Sequence, residues 1–131
     1  MPALAQLQNG YLSATRNIGT PREVEYQLLS RVTGKLKKAA SGKAEFKDLA
    51  AALHENLMIW QTLALDVVED DNGLPSQLRA QIFYLYEFAL VHTPKVLQRE
   101  ADASALIDVN TAVISGLRQA ALAKGPDQCQ V

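Results

Sequence analysis

The stretch from Leu74 to Val96 limits what this chain can fold into more than any other. Pro75 suits the first turn of a helix, where its missing N–H has no intrahelical partner to lose. Leu78, Ile82, Leu85, Ala89 and Val96 then recur at helical spacing and make one face. Phe83, Tyr86 and Leu90 make a second, and Tyr84, Phe88 and Val91 a third. Glu87 is the only charge between Ile82 and Val91. A helix that is apolar nearly all round has to be covered on most sides. This one is too short and too polar-flanked to span a bilayer, so no membrane insertion is expected. The sequence therefore predicts the central helix of a small bundle, wrapped by the others. Whatever part of it they leave uncovered is a binding surface. Phe83, Tyr84, Tyr86, Phe88, Leu90 and Val91 are the candidate partner-binding residues, with one of their two ridges expected to be partly exposed.

The rest of the chain supplies helices to do the wrapping. Leu4, Leu7, Tyr11 and Ala14 make a short amphipathic stripe interrupted by Gly10 and ended at Asn17 to Gly19. Alone it would be marginal in water. Its expected fates are fraying, packing on the bundle, or transient occupation of the partner groove. Thr20-Pro21-Arg22-Glu23 is a helix start, with Thr20 and Glu23 spaced as a capping box. The helix it opens runs to about Ala40, with Val24, Leu28, Val32, Leu36 and Ala39 as its stripe. The next spans about Glu45 to Glu69, with Phe46, Leu49, Leu53, Trp60, Leu63 and Val67 on one face. Asn56 falls inside that face and must find partners if buried. Asn72-Gly73 ends this helix with residues that tolerate positive φ. After Leu74–Val96, a last helix runs from Asp102 or Ala103 to Ala123. Leu106, Val109, Val113, Leu117 and Ala120 form its stripe, and Asn110 sits beside it. Gly116 allows close approach of a neighbour, and Gly125-Pro126 stops the helix. No segment has strand periodicity or a hairpin signal. The expectation is an all-α bundle of four main helices plus a short N-terminal helix. It forms one domain over residues 1–124, with 1–19 loosely attached and 125–131 a flexible tail.

At 131 residues and 48% hydrophobic content the chain can bury a core. Its net charge of −1 conceals an asymmetry: residues 1–47 carry +5 and residues 48–131 carry −6. The single cysteine, Cys129, excludes a disulfide within the chain and favours a cytoplasmic setting. His54 and His92 lie on different helices with no Cys or carboxylate at ligand spacing, so no metal and no cofactor are expected. Glu69-Asp70-Asp71 does not match a calcium loop and reads as an acidic helix end, with Arg79 as its partner across the turn. Gly34-Lys35 and Gly42-Lys43 lack the rest of a phosphate loop. No local motif sets a nucleophile beside a His, so the chain reads as a non-enzyme. The Arg31/Lys35/Lys38 ridge is a weak nucleic-acid footprint, because the chain is not basic overall and no aromatic interleaves with it.

A set of residues in order now carries a resemblance. It comprises Thr20-Pro21-Arg22-Glu23-Val24-Glu25, Ala52-Leu53 with Asn56 and Trp60, and Asn72-Gly73-Leu74-Pro75 with Leu78-Arg79-Ala80. His92-Thr93, Leu106-Ile107-Asp108-Val109-Asn110 and Gly116-Leu117 complete it. In that order, across about residues 20–117, the sequence resembles the FlaF family of alphaproteobacterial flagellar biosynthesis regulators. The resemblance implies a small cytoplasmic protein needed for flagellin production. It looks like a flagellin-binding export chaperone that works beside the regulator FlbT. No catalytic residue carries over. Asn56, Trp60, Arg79 and Asn110 read as scaffold, the two amides bonding between helices and Trp60 filling the core. Flagellin's terminal helices are amphipathic, and a chaperone for them needs an apolar groove. The competing expectation is an RNA- or regulator-binding adaptor controlling flagellin expression through the Arg31/Lys35/Lys38 ridge.

Overall fold

The computed structural model describes residues 21–123. Four helices fill it: α1 (Pro21–Ala39), α2 (Phe46–Val67), α3 (Ser76–Leu97) and α4 (Ser104–Ala123). Among the described residues there is no strand. The expected N-terminal helix, the Thr20 cap, Cys129 and the tail lie outside the described residues, as do the side chains of Ala120 and Ala121.

Each helix turns one stripe inward because its apolar residues recur at alternating steps of three and four. On α1 the buried positions are Val24, Glu25, Leu29, Val32, Thr33 and Leu36. Leu29, not Leu28, is therefore the fully buried leucine of that turn. On α2 they include Leu53, Asn56, Trp60, Leu63 and Val67, and on α4 Ala103 just ahead of the helix, then Leu106, Asn110, Val113 and Leu117. The helices form a ring. Helix α1 packs on α2 and α4, and α3 packs chiefly on α2 and more lightly on α4. Gly116 makes the α3–α4 approach: a Cβ there would meet Leu78 Cδ1 at 3.2 Å.

Two corrections follow from this ring. First, α3 is not a wrapped central helix. It buries only Ile82, Ala89, Thr93 and Val96, because a corner of the ring has neighbours on two sides and water on the rest. Second, Phe46 is 43% exposed, since it is the first residue of α2 and projects past the bundle's end. The Arg99 guanidinium stacks over its ring at 4.8 Å. Arg99 itself has φ 64 and closes α3: the Glu100 N–H donates back to the Lys95 carbonyl at 2.8 Å, the Schellman pattern.

The turns follow from local chemistry. Gly73 takes φ 85, and Asn72 Nδ2 donates to the Asp66 carbonyl while its Oδ1 accepts the Leu74 N–H. At the start of α4 the Ser104 hydroxyl and N–H donate to Asp102 Oδ1 at 2.6 and 3.0 Å, which holds the Asp102 carboxyl below its usual range. Because that carboxyl is depressed in the folded chain, its stabilisation is present at neutral pH and fades as pH falls through the carboxylate range. Gly34 has no such task. It is exposed within α1, and a Cβ there would meet nothing within 4 Å. Gly34→Ala should therefore stabilise the fold by about 0.5–1 kcal/mol. Thermal melts should show Tm raised by roughly 2–5 °C; an unchanged or lower Tm would mean that a methyl group at residue 34 does not sit in open space.

Candidate functional site

The interior of the bundle is a structural site. Trp60 Nε1 donates to Asn110 Oδ1 at 2.8 Å, and because indole can only donate, this bond sets the orientation of the amide. Asn110 Nδ2 must then face the other way. It donates to Asn56 Oδ1 at 2.8 Å and to Thr33 Oγ1 at 3.0 Å. The Thr33 hydroxyl in turn donates a hydrogen bond to the Leu29 carbonyl at 2.7 Å. Asn56, Trp60 and Asn110 are all fully buried, and the chain of bonds ties α1, α2 and α4 together through the middle of the ring. Thr33 belongs to this set and was not singled out in the sequence. Its signal was a hydroxyl beside the α1 stripe, four residues after Leu29.

Arg79 works at one end of the ring. Its Nε donates to the Val67 carbonyl and its Nη2 to the Glu69 carbonyl, both at 2.9 Å. The expected pairing with the Glu69-Asp70-Asp71 carboxylates is thus replaced by bonds to backbone oxygens. The Val67 carbonyl ends α2, the Glu69 carbonyl lies in the turn after it and also accepts the Asn72 N–H at 3.2 Å, and a cation there meets the negative end of the helix dipole.

Among the described residues, the outer side of α3 carries five of the eight exposed large apolar side chains. Tyr84 is 70% exposed, Val91 62%, Leu90 42%, Phe83 40% and Leu97 37%. Both ridges foreseen in the sequence are therefore open, and each is divided. Tyr86 and Phe88 are partly buried and pack against the core. Tyr86 meets Phe83 edge-on, with ring centres 6.2 Å apart, and Phe88 stacks on His92 at 5.0 Å. Leu97 belongs to the open face although the sequence did not mark it. A shallow cleft of about 430 Å³ continues the face onto α2. Val67, Val68, Arg79, Phe83, Tyr84 and Glu87 are among its lining residues, and Val68 is itself exposed. Exposed tyrosines suit a surface that is wet when free and dry when bound.

Among the described residues no three His, Cys, Asp or Glu cluster as a metal site would need. No described helix is long and apolar enough to cross a membrane. Comparison with known families gives a direct result: the model of the flagellar protein FlaF family matches residues 7–117. The chain belongs to the FlaF family. That match takes in α1, α2, α3 and most of α4, together with the segment ahead of Pro21. FlaF membership makes this a flagellar protein. Comparison with curated proteins and with solved structures returns no match. Within this FlaF chain, then, Asn56, Trp60 and Asn110 hold the bundle together, Arg79 caps α2, and the outer α3 face is uncovered among the described residues.

Proposed function

We propose that this FlaF chain is a flagellin-binding chaperone that shields an amphipathic flagellin helix on the outer face of α3 and so promotes flagellin synthesis and secretion. One observation carries the reading: Phe83, Tyr84, Leu90 and Val91 form a contiguous set of large apolar side chains at the surface of a helix that is otherwise well anchored. Single exposed apolar residues are ordinary, but a row of them rimmed by polar groups marks an interaction site. Binding of this kind uses no cofactor and no catalytic group, and it would take place in the cytoplasm before export. The adaptor reading has less support, because Lys35 at the centre of the basic ridge is already paired with Glu55 at 2.9 Å.

The double substitution Tyr84→Ser and Val91→Ser tests the proposal. Both side chains are mostly in water, so stability should move by no more than about 0.5 kcal/mol. Affinity for flagellin, followed by titration calorimetry, should fall at least about tenfold. Binding should also change little between low and moderate salt, whereas phosphate-mediated binding would weaken steeply. Full affinity in the double variant would remove flagellin from the α3 face. FlbT is the second partner proposed, and a parallel titration with FlbT shows whether it shares the face.

A further inference from the structure

The exposed apolar residues of α3 are in register. Phe83 and Tyr84 are followed seven residues later by Leu90 and Val91, and seven later again by Leu97. A repeat of seven advances 3.5 residues per turn, which keeps contacts in line along a second helix lying beside the first. An extended strand would favour alternation at two residues instead. The repeat from Phe83 to Leu97 covers about 21 Å of helix.

Charge adds an independent constraint. Glu87 lies between the first and second apolar pairs and lines the cleft with Phe83 and Tyr84. It is exposed, and it makes no ion pair with any described residue. The acidic turn Glu69-Asp70-Asp71 follows α2 at the same end of α3. An approaching helix meets a carboxylate in the middle of an apolar strip, with more negative charge beyond its edge.

Resting on the reading that this face binds flagellin, we propose that the ligand is one α-helix of at least two heptads lying alongside α3. It carries large apolar residues at seven-residue spacing and a Lys or Arg between them. Apolar contact supplies the affinity, and Glu87 selects the basic helix and sets its register.

The test uses the full chain and three synthetic helical peptides of roughly 16 residues, about two heptads. Two have leucines in a heptad repeat and differ only in a central Lys or Glu. The third has the composition of the Lys peptide with its leucines alternating. Fluorescence anisotropy should show the Lys peptide binding about threefold to tenfold more tightly than the Glu peptide, with the alternating peptide not binding. Glu87→Gln should erase that preference and Glu87→Lys reverse it, while Tyr84→Ser with Val91→Ser loses both heptad peptides. Equal affinities that ignore Glu87 overturn the inference. So does binding seen only after removal of residues 2–18, which assigns the face to the chain's own N-terminal segment. A stable dimer that excludes the peptides assigns it to a second copy and is equally fatal. Flagellin binding that still depends on Tyr84 and Val91 would leave the functional reading standing in each of those cases. Flagellin binding indifferent to Tyr84 and Val91 would remove that reading as well.

Discussion

Trp60→Ala should remove about 3–5 kcal/mol of stability, a large part of the roughly 5–15 kcal/mol that holds a domain of this size together. Two effects add. The indole is fully buried at the centre of the ring, so truncation leaves a cavity that the surrounding helices can close only in part. It also removes the one donor to Asn110 Oδ1, leaving a buried acceptor without its bond. Trp60→Phe separates the two effects. It keeps most of the volume and loses the N–H, so it should cost about 1–2 kcal/mol, mainly from the orphaned acceptor. Urea melts of both variants would measure the difference, with the slope unchanged if the unfolded chain is unaffected. In cells, Trp60→Ala should lower abundance before it lowers any specific activity. A variant that melted like the parent yet no longer bound flagellin would instead place Trp60 at the partner surface.

The helices and their limits were legible because their signals are local. Pro21 opens α1, Asn72-Gly73-Leu74-Pro75 separates α2 from α3, and the stripe of each helix shows in the spacing of its leucines and valines. The buried amides were legible for the same reason: a polar residue within an apolar stripe must be inside and bonded. What spacing could not reveal is which of three overlapping stripes on α3 faces inward. Ile82, Phe83 and Tyr84 each begin an apolar row, and only the positions of α2 and α4 select the row of Ile82, Ala89 and Val96. A helix with apolar residues on three faces looks central in sequence and is a corner of the ring in space. The same gap explains Arg79. Its nearness to an acidic turn suggested carboxylate partners, but the backbone carbonyls at and just after the end of α2 carry no mark in the sequence. For the candidate site, membership of the open face was legible for four of the six residues. Tyr86 and Phe88 turn partly inward, because each finds a ring beside it on α3 and apolar cover from the core.

Asn110→Leu should cost about 3–5 kcal/mol although leucine nearly matches asparagine in size. The substitution fills the site and still removes all three side-chain bonds that Asn110 makes. Trp60 Nε1 loses its acceptor, and Asn56 loses the donor to its Oδ1. Thr33 keeps its bond to the Leu29 carbonyl and is less affected. Asn56→Leu should be milder, about 1–3 kcal/mol. Its Nδ2 has no partner among the described residues, so only one bond is lost and one unsatisfied group disappears. If the amides act as a unit, the double variant should be more stable than the sum of the single effects by about 1 kcal/mol or more, since removing both partners strands fewer groups than the two single variants do together. Strict additivity in the denaturant cycle would instead make the three bonds independent. Asn56 and Asn110 each occupy a seam position flanked by apolar residues three and four away, the place where a polar residue costs stability and fixes how helices pair. The Leu–Leu chain should accordingly retain helix content while its helices lose a unique register, which broadened amide spectra and a less cooperative melt would reveal. A sharply folded Leu–Leu chain with the parent's flagellin affinity would show that apolar packing alone positions α3 and that the network adds bonds without adding specificity.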